Sequence, residues 1–244
     1  MNNTLCDLVA DEQAVALKVF PVELVNKFEI YSYRSAAAIL VQNFPSQFSQ
    51  IVSALEKFKI TTNMIRSPGG SKGPIARYVD DLFLNQGWKE TRITADLHVK
   101  LFPANGDNVL REYVRPGYLD GHRIDFVNGK VALDLEWNSK DQTYDRDLYA
   151  FSAFHTAGAI DVGVLLTRGS TLDTSFFRSL GNVLDDGQNE GENMVYKKFG
   201  ASTTWMPKLL YRLNAGRNGG CPVLALGIKP ECIADYKIMN PADN

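Results

Sequence analysis

The pattern of apolar and polar positions divides the chain into a helical first third and a β-rich remainder. Ala14 to Val25, Ala36 to Phe44 and Phe48 to Phe58 carry apolar residues at mixed three- and four-residue spacings, which is the period of one helix face. Pro45-Ser46 separates two of these helices, with Ser46 read as an N-cap. A loop rich in breakers, Ser67-Pro68-Gly69-Gly70-Ser71-Lys72-Gly73-Pro74, then opens onto an amphipathic helix from about Ile75 to Gln86 that Gly87 terminates. Beyond Trp88 the spacing changes to alternation. Glu90 to Leu101, Tyr118 to Phe126 and Lys130 to Trp137 read as strands, with Asn128-Gly129 as a two-residue hairpin turn. A helix from about Asp145 to Ala157, ended by Gly158, precedes a buried strand from Ile160 to Leu166. Strand, helix, strand implies a right-handed crossover and a parallel pair. Gly181 to Asn193, dense in Gly, Asn, Asp and Glu, reads as a mobile loop. A last helix, Thr204 to Asn214, leads to a strand from Pro222 to Ile228. These elements predict an α/β fold, a mixed central β-sheet flanked by α-helices. They form one domain over 1–244, with a helical part at 1–88 and a sheet core at 89–244.

Composition narrows the setting. A chain of 244 residues can bury a sizeable core as one domain. Its longest apolar stretches, such as Ile160 to Thr167, are far shorter than the roughly 20 residues needed to cross a bilayer. The N-terminus lacks the basic start and apolar run of a secretory signal, and Cys6, Cys221 and Cys232 cannot all pair within one chain. A reducing cytoplasm is the compartment these features predict. The cysteines show no CxxC spacing and His98, His122 and His155 are scattered, so zinc is not expected. A net charge of −2 and a pI near 5.9 weigh against a partner as anionic as DNA, unless positive charge is concentrated locally.

The chemically informative stretch is I-D125-F-V-N-G-K-V-A-L-D134-L-E136-W-N-S-K140-D. The hairpin turn returns Asp125 beside the strand carrying Asp134 and Glu136, whose spacing of two puts both side chains on one face. Three carboxylates then converge on one sheet edge, where mutual repulsion and burial would cost several kcal/mol without compensation. A divalent cation supplies that compensation. Hard oxygen ligands with one or two carboxylates and remaining waters suit Mg²⁺, which lowers the pKa of a bound water and polarises a phosphate. By pattern alone, the same D-x-E also describes a half-exposed strand whose acids face solvent and pair with Lys140 or Arg123.

The segment from Arg123 to Arg168 resembles the catalytic core of the BglII, BstYI and BamHI group of type II restriction endonucleases, members of the wider PD-(D/E)xK nuclease fold. In that group an aspartate after an apolar residue stands nine positions before an acidic residue that begins an acidic-x-(Glu or Gln) pair. Asp125, Asp134 and Glu136 reproduce this spacing. The likeness continues through Tyr144 to His155, the strand I-D-V-G-V-L-L-T-R and the late L-Y-R-L-N-A-G-R-N-G-G-C-P-V-L-A-L-G-I. Upstream, I-R-S-P-G-G and Y-V-D-D-L-F-L-N-Q-G-W-K-E-T-R look like the group's loop and helix. This chain departs from the wider superfamily in carrying Glu136 where lysine is usual, and from its nearer relatives in carrying Asp134 where glutamate is usual.

The resemblance implies a restriction-endonuclease-like fold and a Mg²⁺-dependent enzyme, with Mn²⁺ as a substitute, that cuts double-stranded DNA at a short palindrome. A homodimer matches a two-fold site. Asp125, Asp134 and Glu136 are the expected catalytic residues. Asp125, Asp134 and the Leu135 carbonyl are expected to hold the metal, while Glu136 orients or deprotonates the attacking water. Asn138 and Ser139 stand where related enzymes read bases, although both are also ordinary turn formers. Lys140, Arg168 and Ser170 are further candidates for DNA contact, each with a plain reading as loop or connection residues. Lys72 and the glycine-rich loop are a candidate phosphate cradle at a helix N-terminus. Arg212 and Arg217 are candidates for phosphate contact, and His155 reads as packed or partner-bonded. Two other functions fit the same fold: a structure-specific repair nuclease and a DNA-binding relative that does not cleave.

Overall fold

The computed structural model describes residues 11–70, 72–185 and 188–236. Cys6 and Ser71 fall outside them. The chain opens with α1 (Gln13–Leu17) and α2 (Val22–Lys27), two short helices where the apolar spacing predicts one, because Pro21 cannot continue a helix and instead precedes the second. Strand β1 (Phe28–Tyr33) follows, then α3 (Ala36–Asn43), α4 (Pro45–Lys57), α5 (Thr62–Arg66) and α6 (Pro74–Leu84). Pro45 occupies the first turn of α4, where its missing N–H costs nothing, so Phe44 rather than Ser46 is the N-cap. Gly87, at φ +86°, turns the chain after α6 as expected.

The second part begins with a long hairpin, β2 (Lys89–Leu101) and β3 (Arg111–Asn128), followed by β4 (Val131–Glu136), α7 (Thr143–Thr156) and β5 (Val162–Arg168). The β3–β4 turn lies one residue later than the sequence suggests. Asn128 pairs with Val131, so Gly129 and Lys130 form the turn, with Gly129 at φ +58°. Next come α8 (Thr174–Ser179), β6 (Asn182–Asp185), β7 (Asn189–Met194), α9 (Val195–Lys198), α10 (Met206–Asn214) and β8 (Val223–Ile228). The stretch read as a mobile loop therefore contains an antiparallel hairpin, β6–β7, tied down by Arg66, which donates to the Asn182 carbonyl at 2.8 Å and pairs with Glu190.

The main sheet has the order β1-β8-β5-β4-β3-β2. β4, β5 and β8 are parallel, the outer pairings antiparallel, which makes the sheet mixed. Its central strands are buried on both faces, as their continuous apolar runs require. Val131, Leu133, Val164 and Leu226 pack with Leu40, Ile51, Val79 and Phe83 of the early helices. Ala132, Leu165 and Ala225 pack with Leu148, Phe151 and Phe154 of α7 and Leu209 and Leu213 of α10. The result is three layers, helix on sheet on helix. Among the described residues, no helix is long and apolar enough to cross a membrane.

One glycine is fixed by this packing. A Cβ on Gly163 would lie 2.3 Å from the Phe151 ring, because α7 presses flat against β5 there. Gly163→Ala is expected to destabilise the fold by about 1–3 kcal/mol through overpacking. Denaturant titration should show that loss, and Phe151→Leu in the same chain should recover part of it. An additive double variant would show that the ring is not the obstacle.

Candidate active site

The site is built on an irregularity in β3. Between Thr91 and Lys89 the β2 strand advances two residues while its partner advances three, from Ile124 to Val127. The extra residue is a β-bulge, a device that re-aims a side chain and interrupts pairing. Its effect on burial is direct: Ile124 and Phe126, which regular alternation would place together, pack on opposite faces of the sheet. Asp125 lies inside the bulge. Beyond Phe126 the β3–β4 ladder gives way to side-chain bonds. The Asp125 N–H donates to Asp134 Oδ1 at 2.8 Å, and the Leu135 N–H donates to Asp125 Oδ2 at 3.0 Å.

Each carboxylate thus uses one oxygen to cap an orphaned backbone donor. The other oxygen has no hydrogen-bond donor among the described residues. Asp134 is 5% exposed and Glu136 6%, so neither is the solvent-facing acid that the pattern alone allowed. Burial, and then the charge of Asp125, pushes the Asp134 carboxyl up to about 8. Burial also raises Asp125, against the Leu135 N–H, which lowers it.

Glu136 is held from α7. Thr143 Oγ1 donates to its Oε2 at 3.0 Å, and the Arg146 guanidinium stands 3.5 Å from Oε1. The same guanidinium pairs with buried Asp147 at 2.8 Å. Desolvation, then the charges of Asp134 and Glu136, raises the Asp147 carboxyl. Thr143, Arg146 and Asp147 are absent from the sequence-derived site. A signal for one of them exists: Tyr144, Asp147, Leu148, Phe151 and Phe154 form the buried stripe of α7, and Asp147 is the one acid within it.

A cavity of about 400 Å³ opens at this end of the sheet, lined by Asp125, Leu135, Glu136, Asn138 and Ser139. Its opposite wall is the glycine-rich loop with Lys72, at the N-terminus of α6, together with Asp80. Lys198 fastens that loop, donating to the Ser67 carbonyl at 2.6 Å and to the Ile65 carbonyl at 3.2 Å. Lys72 pairs with Asp80, and this bond raises its pKa. Asn138 Oδ1 is buried with no hydrogen-bond partner among the described residues.

Other candidates stand elsewhere. Lys140 is exposed and bridges to Thr203, off the cavity wall. Arg168 is 3% exposed, so its placement differs from that of a DNA-reading side chain. Its three guanidinium nitrogens donate to the Thr204 carbonyl (2.9 Å), the Leu172 carbonyl (3.3 Å) and Thr203 Oγ1 (2.7 Å), and it lies over Phe177 and Phe199. The Ser170 N–H donates to Glu29 at 2.7 Å and its hydroxyl to the same oxygen. Arg212 and Arg217 both pair with Asp145. His155 Nδ1 lies 3.3 Å from the Ile160 carbonyl, as a partner-bonded histidine does.

The cavity wall carries Asp80, Glu90, Asp125 and Glu136 against Lys72 and Lys198, so a phosphate would be repelled without a further cation. Among the described residues, no three His, Cys, Asp or Glu side chains form a ready metal cage. Glu136 instead turns toward Thr143 and Arg146, leaving the Asp125–Asp134 pair. A buried Asp134 beside the solvent-accessible Asp125, two mutually repelling carboxylates, fits a hard divalent ion that is completed by water and substrate rather than enclosed by protein.

A mixed sheet with helices on both faces, an aspartate in a bulged strand and a D-x-E on the next define a restriction-endonuclease-like deoxyribonuclease. The family model for restriction endonuclease BglII/BglIII matches residues 28–228, and the chain belongs to that family. It is a type II site-specific deoxyribonuclease, and enzymes of this kind generally use a divalent metal. No curated protein sequence matches the chain.

Proposed function

We propose that this protein is a Mg²⁺-dependent homodimeric restriction endonuclease of the cytoplasm that hydrolyses both strands of duplex DNA at a short palindrome, with Asp125, Asp134 and Glu136 as its catalytic residues. The exchange of backbone pairing for carboxylate bonds at Asp125 and Asp134 carries this reading, because it leaves buried Asp134 and cavity-lining Asp125 side by side with one unengaged oxygen each. Those oxygens and the Leu135 carbonyl would hold Mg²⁺, or Mn²⁺ in its place. When bound, the ion supplies a lowered pKa for a coordinated water and neutralises charge on the scissile phosphate. Glu136 orients the attacking water and accepts its proton, and Arg146 fixes the Glu136 carboxylate in that attitude. Asn138 and Ser139, at the cavity wall, face the major groove and read base edges. Lys72 and the loop before α6 face the DNA backbone.

Incubation of the purified protein with plasmid DNA tests this reading. Discrete fragments with Mg²⁺ or Mn²⁺ and none with EDTA are expected. A smear would replace the site-specific reading with a structure-preferring nuclease, and binding without cutting would remove the enzymatic one.

A further inference from the structure

The β2–β3 hairpin is much longer than the sheet it belongs to. β3 pairs with β4 only over Phe126–Asn128, yet it runs back to Arg111, paired on one side alone with β2. Because β3 is antiparallel to β4, residues 111–122 continue past Glu136, the carboxylate end of β4. The ribbon also grows out of the cavity rim, since Glu90 of β2 and Asp125 of β3 both line it. From Ile93 to Leu101 is eight residue steps, or about 27 Å of extended chain at ~3.4 Å each. A two-stranded ribbon of this length exceeds the ~12 Å width of a major groove. Such a ribbon is marginal on its own and gains order from a partner.

Its two faces differ. β2 alternates from Glu90 to Lys100, the register shifts near Ala95 being taken up by β3, and Ile93, together with Leu119, packs against the face that carries Ala132. Ala132, Asp134 and Glu136 share that face by the two-residue period of β4. Farther out, the same ribbon face presents Leu97, Val99 and Leu101 opposite Arg115, Tyr113 and Arg111. Among the described residues no acid lies on this outer face, whereas Glu112, paired with Lys100, lies on the other. Arg111 lies over the Tyr113 ring and Arg115 over Tyr118, and neither has an acidic partner among the described residues. Stacking on a ring orders a guanidinium and leaves its N–H groups available for an anion. Arg111 and Arg115 are four residues apart, about 14 Å along the strand, which corresponds to about four nucleotide steps at ~3.4 Å per step.

We propose that the β2–β3 ribbon is a DNA-binding arm, in which Arg111 and Arg115 contact phosphates of the duplex outside the step that is cut. The inference rests on the proposed nuclease function and extends it to a surface remote from the carboxylates. Among the described residues the charged groups of the outer face are cations, and that face continues the one carrying Asp134 and Glu136, which makes it complementary to a polyanion lying across the site. Contacts of this kind position the protein along the duplex without reading its sequence.

Salt dependence of binding decides the matter. The full chain and an Arg111→Ala/Arg115→Ala variant are compared on a fluorescent random-sequence duplex in EDTA, so that no cleavage intervenes. Each lost phosphate contact lowers the slope of log Kobs against log[KCl] by about 0.9. The proposed homodimer carries these two arginines on each protomer, so the double variant is expected to bind more weakly at low salt with a slope reduced by about 3.6, and Arg111→Lys/Arg115→Lys to restore that slope. Wild-type binding with an unchanged slope in the alanine variant would overturn the arm and leave the nuclease reading intact. A halved mass of the variant in sedimentation, with the slope unchanged, would reassign the ribbon to contact with a second copy of the chain. Failure of the wild type to bind any duplex would instead remove the nuclease reading on which the arm depends.

Discussion

Asp134→Asn is expected to abolish cleavage and, in the absence of metal, to make the protein more stable above neutral pH. The amide keeps an oxygen that can accept the Asp125 N–H, so the bulge and the β4 strand survive the substitution. It removes the negative charge that a divalent ion requires, and a loss on the order of 10³-fold or more in cleavage rate should follow. The stability effect runs in the opposite direction. Because the folded Asp134 carboxyl is pushed up from 3.8 to about 8, the folded state holds its proton to higher pH than the unfolded chain does. The contribution of Asp134 to the stability of the metal-free wild type is then fully present below the ordinary carboxylate value and is lost as pH rises toward about 8. Asparagine has no proton to lose. Each pKa unit corresponds to about 1.4 kcal/mol, and each kcal/mol to about 2–4 °C in a chain of this size. In EDTA the variant's melting midpoint should exceed that of the wild type by several degrees near the upper end of the window, and match it near the lower end. Added Mg²⁺ should raise the wild-type midpoint most at high pH and leave the variant unmoved. A constant difference between the two proteins across the window would show that Asp134 is not a repelled buried acid.

Arg168→Ala is expected to cost about 3 kcal/mol or more of folding stability without changing the salt dependence of DNA binding. The guanidinium is enclosed by Phe177 and Phe199 and donates to three acceptors, so its removal leaves the buried Thr204 and Leu172 carbonyls unpaired and opens a void between two rings. Burial lowers the Arg168 pKa to about 10, which still leaves it charged at neutral pH. Lysine should recover little, because a point charge cannot reproduce three divergent donors or stack on a ring. Chemical denaturation together with the anisotropy assay separates the roles. A stable alanine variant with weakened DNA binding would return Arg168 to the duplex.

The contrast between Asp134 and Arg168 shows what local sequence can carry. Period-two alternation in V-A-L-D-L-E-W is a property of neighbouring residues, and it puts Asp134 and Glu136 on one face of β4, although the burial of that strand came only with the packed layers. The nine-residue offset to Asp125, across a turn marked by Gly129, was legible for the same reason. The parallel pairing of β4 with β5 followed from a short strand, a helix ended by Gly158 and a second apolar run. The α/β class and the family membership both follow from such local patterns, repeated along the chain.

Tertiary structure decided the rest, because each remaining feature depends on which distant segment supplies a partner. The bulge that sets Asp125 at the cavity exists only as a mismatch between β2 and β3, and neither strand records it alone. Arg168 at a strand end looks like a ligand-binding residue until Thr203, Thr204 and two phenylalanines from later elements close over it. The stretch from 181 to 193 has the composition of a loop, yet backbone pairing and Arg66, more than a hundred residues earlier, order much of it as a hairpin. Glu136 was visible as an acid, but its orientation comes from Thr143 and Arg146 on the crossover helix. Periodicity reports which way a side chain points relative to its own backbone. Which buried charge is compensated, and by what, is determined only when the layers pack.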